Sequence, residues 1–258
     1  MTAPPAVIRI DNIAMRYERG GDVVDALGGL SLDVYEGEIL CIVGSSGCGK
    51  STLLSLIAGF QQPTGGRILL HDAPITGIDT RCGMIFQEYA LFPWKTVQRN
   101  VEFGLKMKRI APKVRCRTAQ HFIKLVGLDG FENAYPAELS GGMRQRAALA
   151  RSLANDPEIL LMDEPFAAVD AMTRQLLQDQ LIEIVAKTRK TVIFVTHSID
   201  EALVLSDRIF LFSTNPGRIS AIMDSPMRDM RLDGDLRAHP DFAPCRAELR
   251  NLLNGSEA

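Results

Sequence analysis

The chain has 258 residues, 46% of them hydrophobic, enough to bury a full core as one large domain or a domain with an inserted lobe. Its 29 basic and 31 acidic residues leave a formal charge of -2, which announces no polyanion-binding surface and excludes nucleic acid as the default partner. Five scattered cysteines (Cys41, Cys48, Cys82, Cys116, Cys245), with no Cys-x-x-Cys pair, argue against a disulfide framework or zinc site and for a reduced, intracellular setting.

In chain order, the opening residues 1–5 lack the charged and apolar regions of a signal peptide, so none is expected. Strands are predicted at residues 7–10, 30–35 and 38–43, the last a buried run. That run is far shorter than the ~20 residues that span a bilayer, so any membrane role is expected to come through a partner. A helix is predicted over residues 50–60, with Leu53, Leu54, Leu56 and Ile57 facing the core, then a turn at 63–66 and a strand at 67–70. A buried strand is expected at 84–86. From residue 88 to 155 helical periodicity takes over, interrupted by Phe92-Pro93-Trp94 and Pro136, and reads as an inserted helical lobe. Strand and helix then alternate: strand 159–162, helix 174–187, strand 191–196, helix 200–206 and strand 208–212. Such alternation implies parallel pairing and an α/β core. Beyond residue 225 the tail is charged, with a short helix expected at 245–253.

Three stretches carry chemistry. Gly44-Ser45-Ser46-Gly47-Cys48-Gly49-Lys50-Ser51-Thr52 lies between an apolar strand and a helix and fits G-x-x-x-x-G-K-[ST]. Glycines let backbone wrap a phosphate, and a helix N-terminus adds N–H donors and partial positive charge. Lys50 is expected to reach the β/γ-phosphates and Ser51 to ligate Mg²⁺. The second stretch, Ile159-Leu160-Leu161-Met162-Asp163-Glu164, is an apolar strand delivering two carboxylates at its C-terminal end, where ligands collect in open α/β sheets. Asp163 would hold Mg²⁺, directly or through water, and Glu164 would polarise the attacking water. The third, Leu139-Ser140-Gly141-Gly142-Met143-Arg144-Gln145-Arg146, has Ser140 as N-cap and two glycines that leave the first helical N–H groups unshielded. That suits a γ-phosphate, although an ordinary capped helix reads the same way. Cys48, near a helix N-terminus and Lys50, is expected to be a reactive thiol whose alkylation inactivates the protein.

In their chain order, 44–52, 139–146 and 159–164, and in their approximate spacing, the three stretches resemble an ABC-transporter ATPase subunit over roughly residues 7–225. The resemblance implies a RecA-like P-loop NTPase core, of α/β class, with an N-terminal antiparallel β-subdomain and an inserted α-helical subdomain. The implied division is 1–87 for the first part of the core, 88–155 for the helical subdomain, 156–225 for the rest of the core and 226–258 for a tail. It also implies roles for single residues. Tyr17 matches an adenine-stacking aromatic. Gln87 matches a glutamine sensing Mg²⁺ and the attacking water. Asp170, in Ala167-Ala168-Val169-Asp170, matches a loop communicating across a dimer, and His197 matches a histidine at the γ-phosphate. Three positions depart from the pattern: Met143 for glutamine, Val169 for leucine and Ser198 for aspartate.

The resemblance implies ATP and Mg²⁺ as cofactors and a head-to-tail homodimer, each nucleotide held between the Lys50 loop of one copy and the Ser140 loop of the other. It further implies transmembrane permease subunits, an indirect solute-binding protein, and a peripheral place on the cytoplasmic face of a bacterial inner membrane. Exposed aromatics in residues 89–94 would meet the permease, with burial in the helical lobe an equal alternative. Gly47-Cys48-Gly49-Lys50-Ser51-Thr52-Leu53-Leu54, Leu91-Phe92-Pro93-Trp94 and Asn215-Pro216-Gly217-Arg218-Ile219 resemble the nitrate/sulfonate/taurine importer branch. A soluble ABC-type ATPase on nucleic acid or ribosomes is the rival reading. The stretch between Gln87 and Ser140 is too short for the long coiled coil such proteins carry. A small-molecule P-loop kinase would need no Ser140 loop.

Overall fold

The computed structural model describes residues 5–19, 22–167, 169–214, 216–231 and 236–255. In chain order it contains β1 (Ala6–Arg19), β2 (Asp22–Tyr35), β3 (Ile39–Val43), α1 (Lys50–Ile57), β4 (Gly65–Leu70) and β5 (Ala73–Pro74). Next come β6 (Cys82–Ile85), α2 (Val97–Met107), α3 (Pro112–Leu125), a 3-10 turn at Pro136–Glu138, α4 (Gly141–Ala154), β7 (Ile159–Asp163) and α5 (Ala171–Thr188). The rest is β8 (Thr191–Thr196), α6 (Ile199–Leu205), β9 (Arg208–Ser213), β10 (Arg218–Asp224) and α7 (Phe242–Gly255). Two compact units emerge: Met1–Asp79 with Val185–Ala258, and Thr80–Ile184.

The first unit holds two sets of strands. β2, β1, β4 and β5 pair antiparallel in that order, and the β1–β2 ladder places Arg16 opposite Asp25, 2.7 Å apart. Such cross-strand pairs are the local glue of a two-sided sheet. In the other set β3 runs parallel to both β8 and β9, with β10 antiparallel on β9. All five residues of β3 and all six of β8 are buried, as strands covered on both faces must be. The interior also contains charge. Glu38 accepts from the Arg208 guanidinium at 2.7 and 2.9 Å and from the Tyr35 N–H at 2.7 Å, so its burial is compensated at both oxygens. Asp207 takes the Ile39 N–H at 2.7 Å and pairs with Arg228 at 3.2 Å and with Arg231, which ties the chain after β10 onto β3 and β9.

In the second unit β6 and β7 pair in parallel from Cys82↔Ile159 to Ile85↔Met162. α2, α3 and α4 pack on one another, and Thr96 and Ser140 cap α2 and α4 with their side chains. α2 and α4 come close because Gly104 faces the Asn155 amide, which a Cβ there would meet at 2.0 Å. Asn100, wholly buried, accepts from the Phe92 N–H at 2.8 Å. Its amide donates to the carbonyls of Phe92, Lys95 and Thr96 at 3.0–3.2 Å, so one side chain replaces the missing backbone pairing of the loop before α2.

Several boundaries differ from the sequence reading. α1 stops at Ile57 instead of residue 60, because Gly59 turns left-handed at φ +75°. β1 and β2 run well beyond the predicted segments; their outer halves carry Arg16, Glu18, Asp22 and Asp25, so no apolar alternation announces them. β10 was not predicted: as an edge strand it alternately exposes Arg218, Ser220, Ile222 and Asp224, three of them polar. Residues 168 and 215, parts of two of the quoted motifs, lie outside the described residues.

Candidate nucleotide-binding site

The Gly-rich loop follows β3 and opens α1. Lys50 is only 5% exposed, and its ammonium folds back to donate to the carbonyls of Gly44 at 2.8 Å and Ser45 at 2.9 Å. Its partners, these two carbonyls and the Cys48 sulfur at 3.7 Å, offer no carboxylate, and a buried cation in such surroundings favours an anion beside it. Gly47 and Gly49 both have positive φ, +82° and +94°. A Cβ on Gly49 would lie 2.7 Å from the Ala26 carbonyl, whereas one on Gly47 would meet nothing within 4 Å, so the loop is wedged against β2 on one side and open on the other. That cradle fits an oxyanion.

The first unit also carries two further predicted residues. Tyr17, on β1, is half-exposed and its hydroxyl donates to Gln61 at 2.6 Å. His197 follows β8 and is exposed. Cys48 corrects the expectation of a reactive thiol. It is 1% exposed, its sulfur 3.7 Å from the Lys50 ammonium, so a reagent cannot reach it in this conformation.

The second unit holds the other predicted residues. Asp163 ends β7, and Glu164 follows at φ +44°, a left-handed conformation that costs a non-glycine residue about 1 kcal/mol or more. Ser140 caps α4 by accepting the Met143 N–H at 3.3 Å. Gly142 leaves room for Thr173 of α5, whose methyl a Cβ would meet at 2.6 Å. Asp170 caps α5, accepting the Thr173 N–H at 3.0 Å; that bond is the main reason its carboxyl lies below the usual range. Gln87 precedes Tyr89 and Ala90, both in the left-handed region.

The expected row of exposed aromatics is only partly there. Tyr89 is buried, 6% exposed, and burial pushes its phenol pKa up. Phe92 packs on Phe103 with ring centres 4.5 Å apart, while Trp94 is 70% exposed beside Lys95. The alternation of aromatic and proline could not say which ring faces inward.

Gly217 was quoted from sequence only within a branch motif and given no role, and Arg151 escaped the sequence reading altogether. Gly217 runs beneath the phosphate loop: a Cβ there would sit 2.2 Å from the Cys48 carbonyl and 2.9 Å from the Ala26 carbonyl, and its N–H donates to that Ala26 carbonyl at 3.1 Å. Arg151 of α4 holds the strained turn after Gln87, donating to the carbonyls of Tyr89 and Ala90 at 2.9 and 2.5 Å. Its only signal was an arginine in an apolar stretch of α4, which alone means little.

The geometry thus supplies a phosphate cradle, a strand-end carboxylate pair and a second capped helix start. The ABC transporter family profile matches residues 27–167, a span that includes all three. This chain belongs to the ABC transporter family. It is an ABC ATP-binding subunit, an ATPase whose hydrolysis is coupled to transport, with the α/β cassette fold. A taurine import ATP-binding protein of Roseobacter denitrificans is 47% identical over 251 residues, 95% of this chain and 93% of that protein. A nitrate import ATP-binding protein of Synechocystis is 42% identical over 247 residues, 92% and 91% of the two chains. A dimeric ATP-binding cassette solved in a post-hydrolysis state with ADP and Pi superposes with a TM-score of 0.76 at 32% identity, covering 84% of this chain and 98% of that one. In this ABC subunit no helix among the described residues is long and apolar enough to cross a membrane.

Proposed function

We propose that this ABC ATPase energises uptake of a small anion or sulfonate-type solute of the taurine and nitrate class. The buried Lys50 ammonium, donating to the loop carbonyls of Gly44 and Ser45 and lying beside the Cys48 sulfur, is the observation that carries nucleotide binding. Binding exchanges those carbonyls for β/γ-phosphate oxygens, with the loop residues Gly44, Ser45, Ser46, Gly47, Cys48, Gly49, Ser51 and Thr52 around them. Tyr17 stacks on adenine. Ser51, Gln87 and Asp163 are assigned to Mg²⁺, which would supply charge neutralisation at the phosphates. That donor set of hydroxyl, amide and carboxylate suits a hard cation that keeps several waters. Among the described residues no cluster of three His, Cys, Asp or Glu side chains forms a protein-only cage. Glu164 polarises the attacking water, and His197 steadies the γ-phosphate.

The functional unit in this reading is a head-to-tail homodimer. Ser140, Gly141 and Gly142 present the start of α4 to the partner copy's nucleotide, and Asp170 lies at the dimer contact. Trp94, with its neighbour Lys95, is the exposed surface offered to transmembrane permease subunits, and a solute-binding protein would act through them. The chain would then sit at the cytoplasmic face of the membrane as a peripheral subunit. The names and near-full coverage of the taurine and nitrate relatives support the substrate class.

The test is reconstitution with a cognate permease and solute-binding protein. Taurine, alkanesulfonates or nitrate should stimulate ATP hydrolysis in proteoliposomes, and Glu164→Gln should trap an ATP-bound dimer. Stimulation by RNA or ribosomes instead would favour the soluble rival. A strictly monomeric ATP complex that phosphorylates a small molecule would favour the kinase.

A further inference from the structure

The turn carrying His197 is closed by the side chains of Thr196, Ser198 and Glu201, of which only Ser198 was noted from sequence. Thr196, the last residue of β8, donates its hydroxyl to Glu201 at 2.6 Å and accepts the Ser198 N–H at 3.1 Å. Ser198 in turn accepts the Glu201 N–H at 3.3 Å. Thr196 before His197 and Ser198 and Glu201 after it therefore form a closed hydrogen-bonded ring, within which His197 is exposed.

This ring is more than an ordinary helix start. Ser198 is the N-cap of α6 and Glu201 stands three residues on, the spacing of a capping box, in which the glutamate reaches back directly to the N-cap N–H. Here the Thr196 hydroxyl is inserted between the two, which adds the end of β8 to the motif. Glu201 is 5% exposed, an expensive place for a carboxylate unless its contacts are needed. Its charge also reaches Cys41 on β3. Burial, then Glu201, push the Cys41 thiol pKa well up, while Lys50 pulls it down.

We propose that Thr196 and Glu201 are positioning residues for His197, setting the direction in which its imidazole leaves the strand end. Neither touches nucleotide; both act through the backbone of the turn. The proposal rests on the assignment of His197 to the γ-phosphate.

The experiment uses the full chain, with single-turnover ATP hydrolysis, fluorescent-nucleotide binding and imidazole NMR resonances. With four histidines in the chain, His197 is assigned from its loss in His197→Ala. Thr196→Val should lower the hydrolysis rate by between about tenfold and a hundredfold, as misplacing a catalytic group does. Nucleotide affinity should stay within about twofold, and the His197 resonance should shift or broaden. Thr196→Ser, which keeps the hydroxyl, should restore rate and resonance, and Glu201→Gln, which keeps an acceptor, should resemble it. A wild-type rate or an unmoved resonance in Thr196→Val would overturn the proposal. So would a loss that Thr196→Ser fails to restore, or one that falls equally on affinity and rate. Full activity in His197→Ala would sink the role of His197 itself, while the resonance would still report whether Thr196 orients it.

Discussion

Asn100 concentrates more backbone pairing on one buried side chain than any other residue described above, so truncating it gives a calculable result. In Asn100→Ala the Phe92 N–H loses its acceptor, and the carbonyls of Phe92, Lys95 and Thr96 lose a shared amide donor. The amide has only two hydrogens, so about three full hydrogen bonds disappear, each worth about 1 kcal/mol net. The site is wholly buried, and water cannot replace them without opening the loop. The expected loss is about 3 kcal/mol, with a little more from the cavity left behind. At about 2–4 °C per kcal/mol for a chain of this size, the thermal midpoint should fall by about 6–12 °C. Hydrogen exchange locates the effect: the Phe92 amide should lose protection before α3 does, because its acceptor is gone. A midpoint lowered by less than about 2 °C with the Phe92 amide still protected would refute the view that Asn100 holds this loop. Since the loop carries Trp94, the side chain proposed to face the permease, the same variant tests that proposal by its coupling to a permease.

Other outcomes follow from single contacts. Gly217→Ala forces a methyl against the Cys48 carbonyl and should weaken ATP binding at least about tenfold, or about 1.4 kcal/mol; an unchanged affinity in fluorescent-nucleotide titration would show that the loop yields freely. Gly104→Ala drives a methyl into the Asn155 amide and should destabilise the α2–α4 packing by about 1–3 kcal/mol, read from urea unfolding. Brief maleimide treatment of the folded chain should leave Cys48 unmodified by mass spectrometry, its thiol becoming available only on denaturation. Asp170 has a lowered folded pKa, so its cap stabilises α5 above the unfolded carboxylate pKa and is lost as pH falls through the folded value. Its carboxyl carbon should accordingly titrate below ordinary aspartates, and Asp170→Asn should flatten that acid-side loss.

The legible parts of the site were those whose chemistry needs particular residue types at contiguous positions. A phosphate loop must have glycines where backbone approaches an anion, then Lys50 and Ser51. A strand-end pair must be Asp163-Glu164 after an apolar run, and a helix start must carry Ser140. Buried strands were legible too, because β3, β7 and β8 are apolar on both faces. The outer halves of β1 and β2 and the edge strand β10 were not, since a strand facing water on one or both sides carries charged residues that read as loop.

The sequence by itself therefore determined the family, and with it the residue types proposed for its chemistry: a Gly-rich loop, a carboxylate pair and a capped helix start. Only the tertiary structure decided which side chains hold that chemistry in place. Gly217 matters because a distant strand passes beneath Cys48, Arg151 because α4 lies against the turn after Gln87, and Glu201 because it is buried against Thr196. Tyr89 turned inward and Trp94 outward for the same reason, although both are aromatic residues of one short stretch. Contacts between residues far apart in the chain depend on how the elements pack, and no local pattern of residue types encodes them.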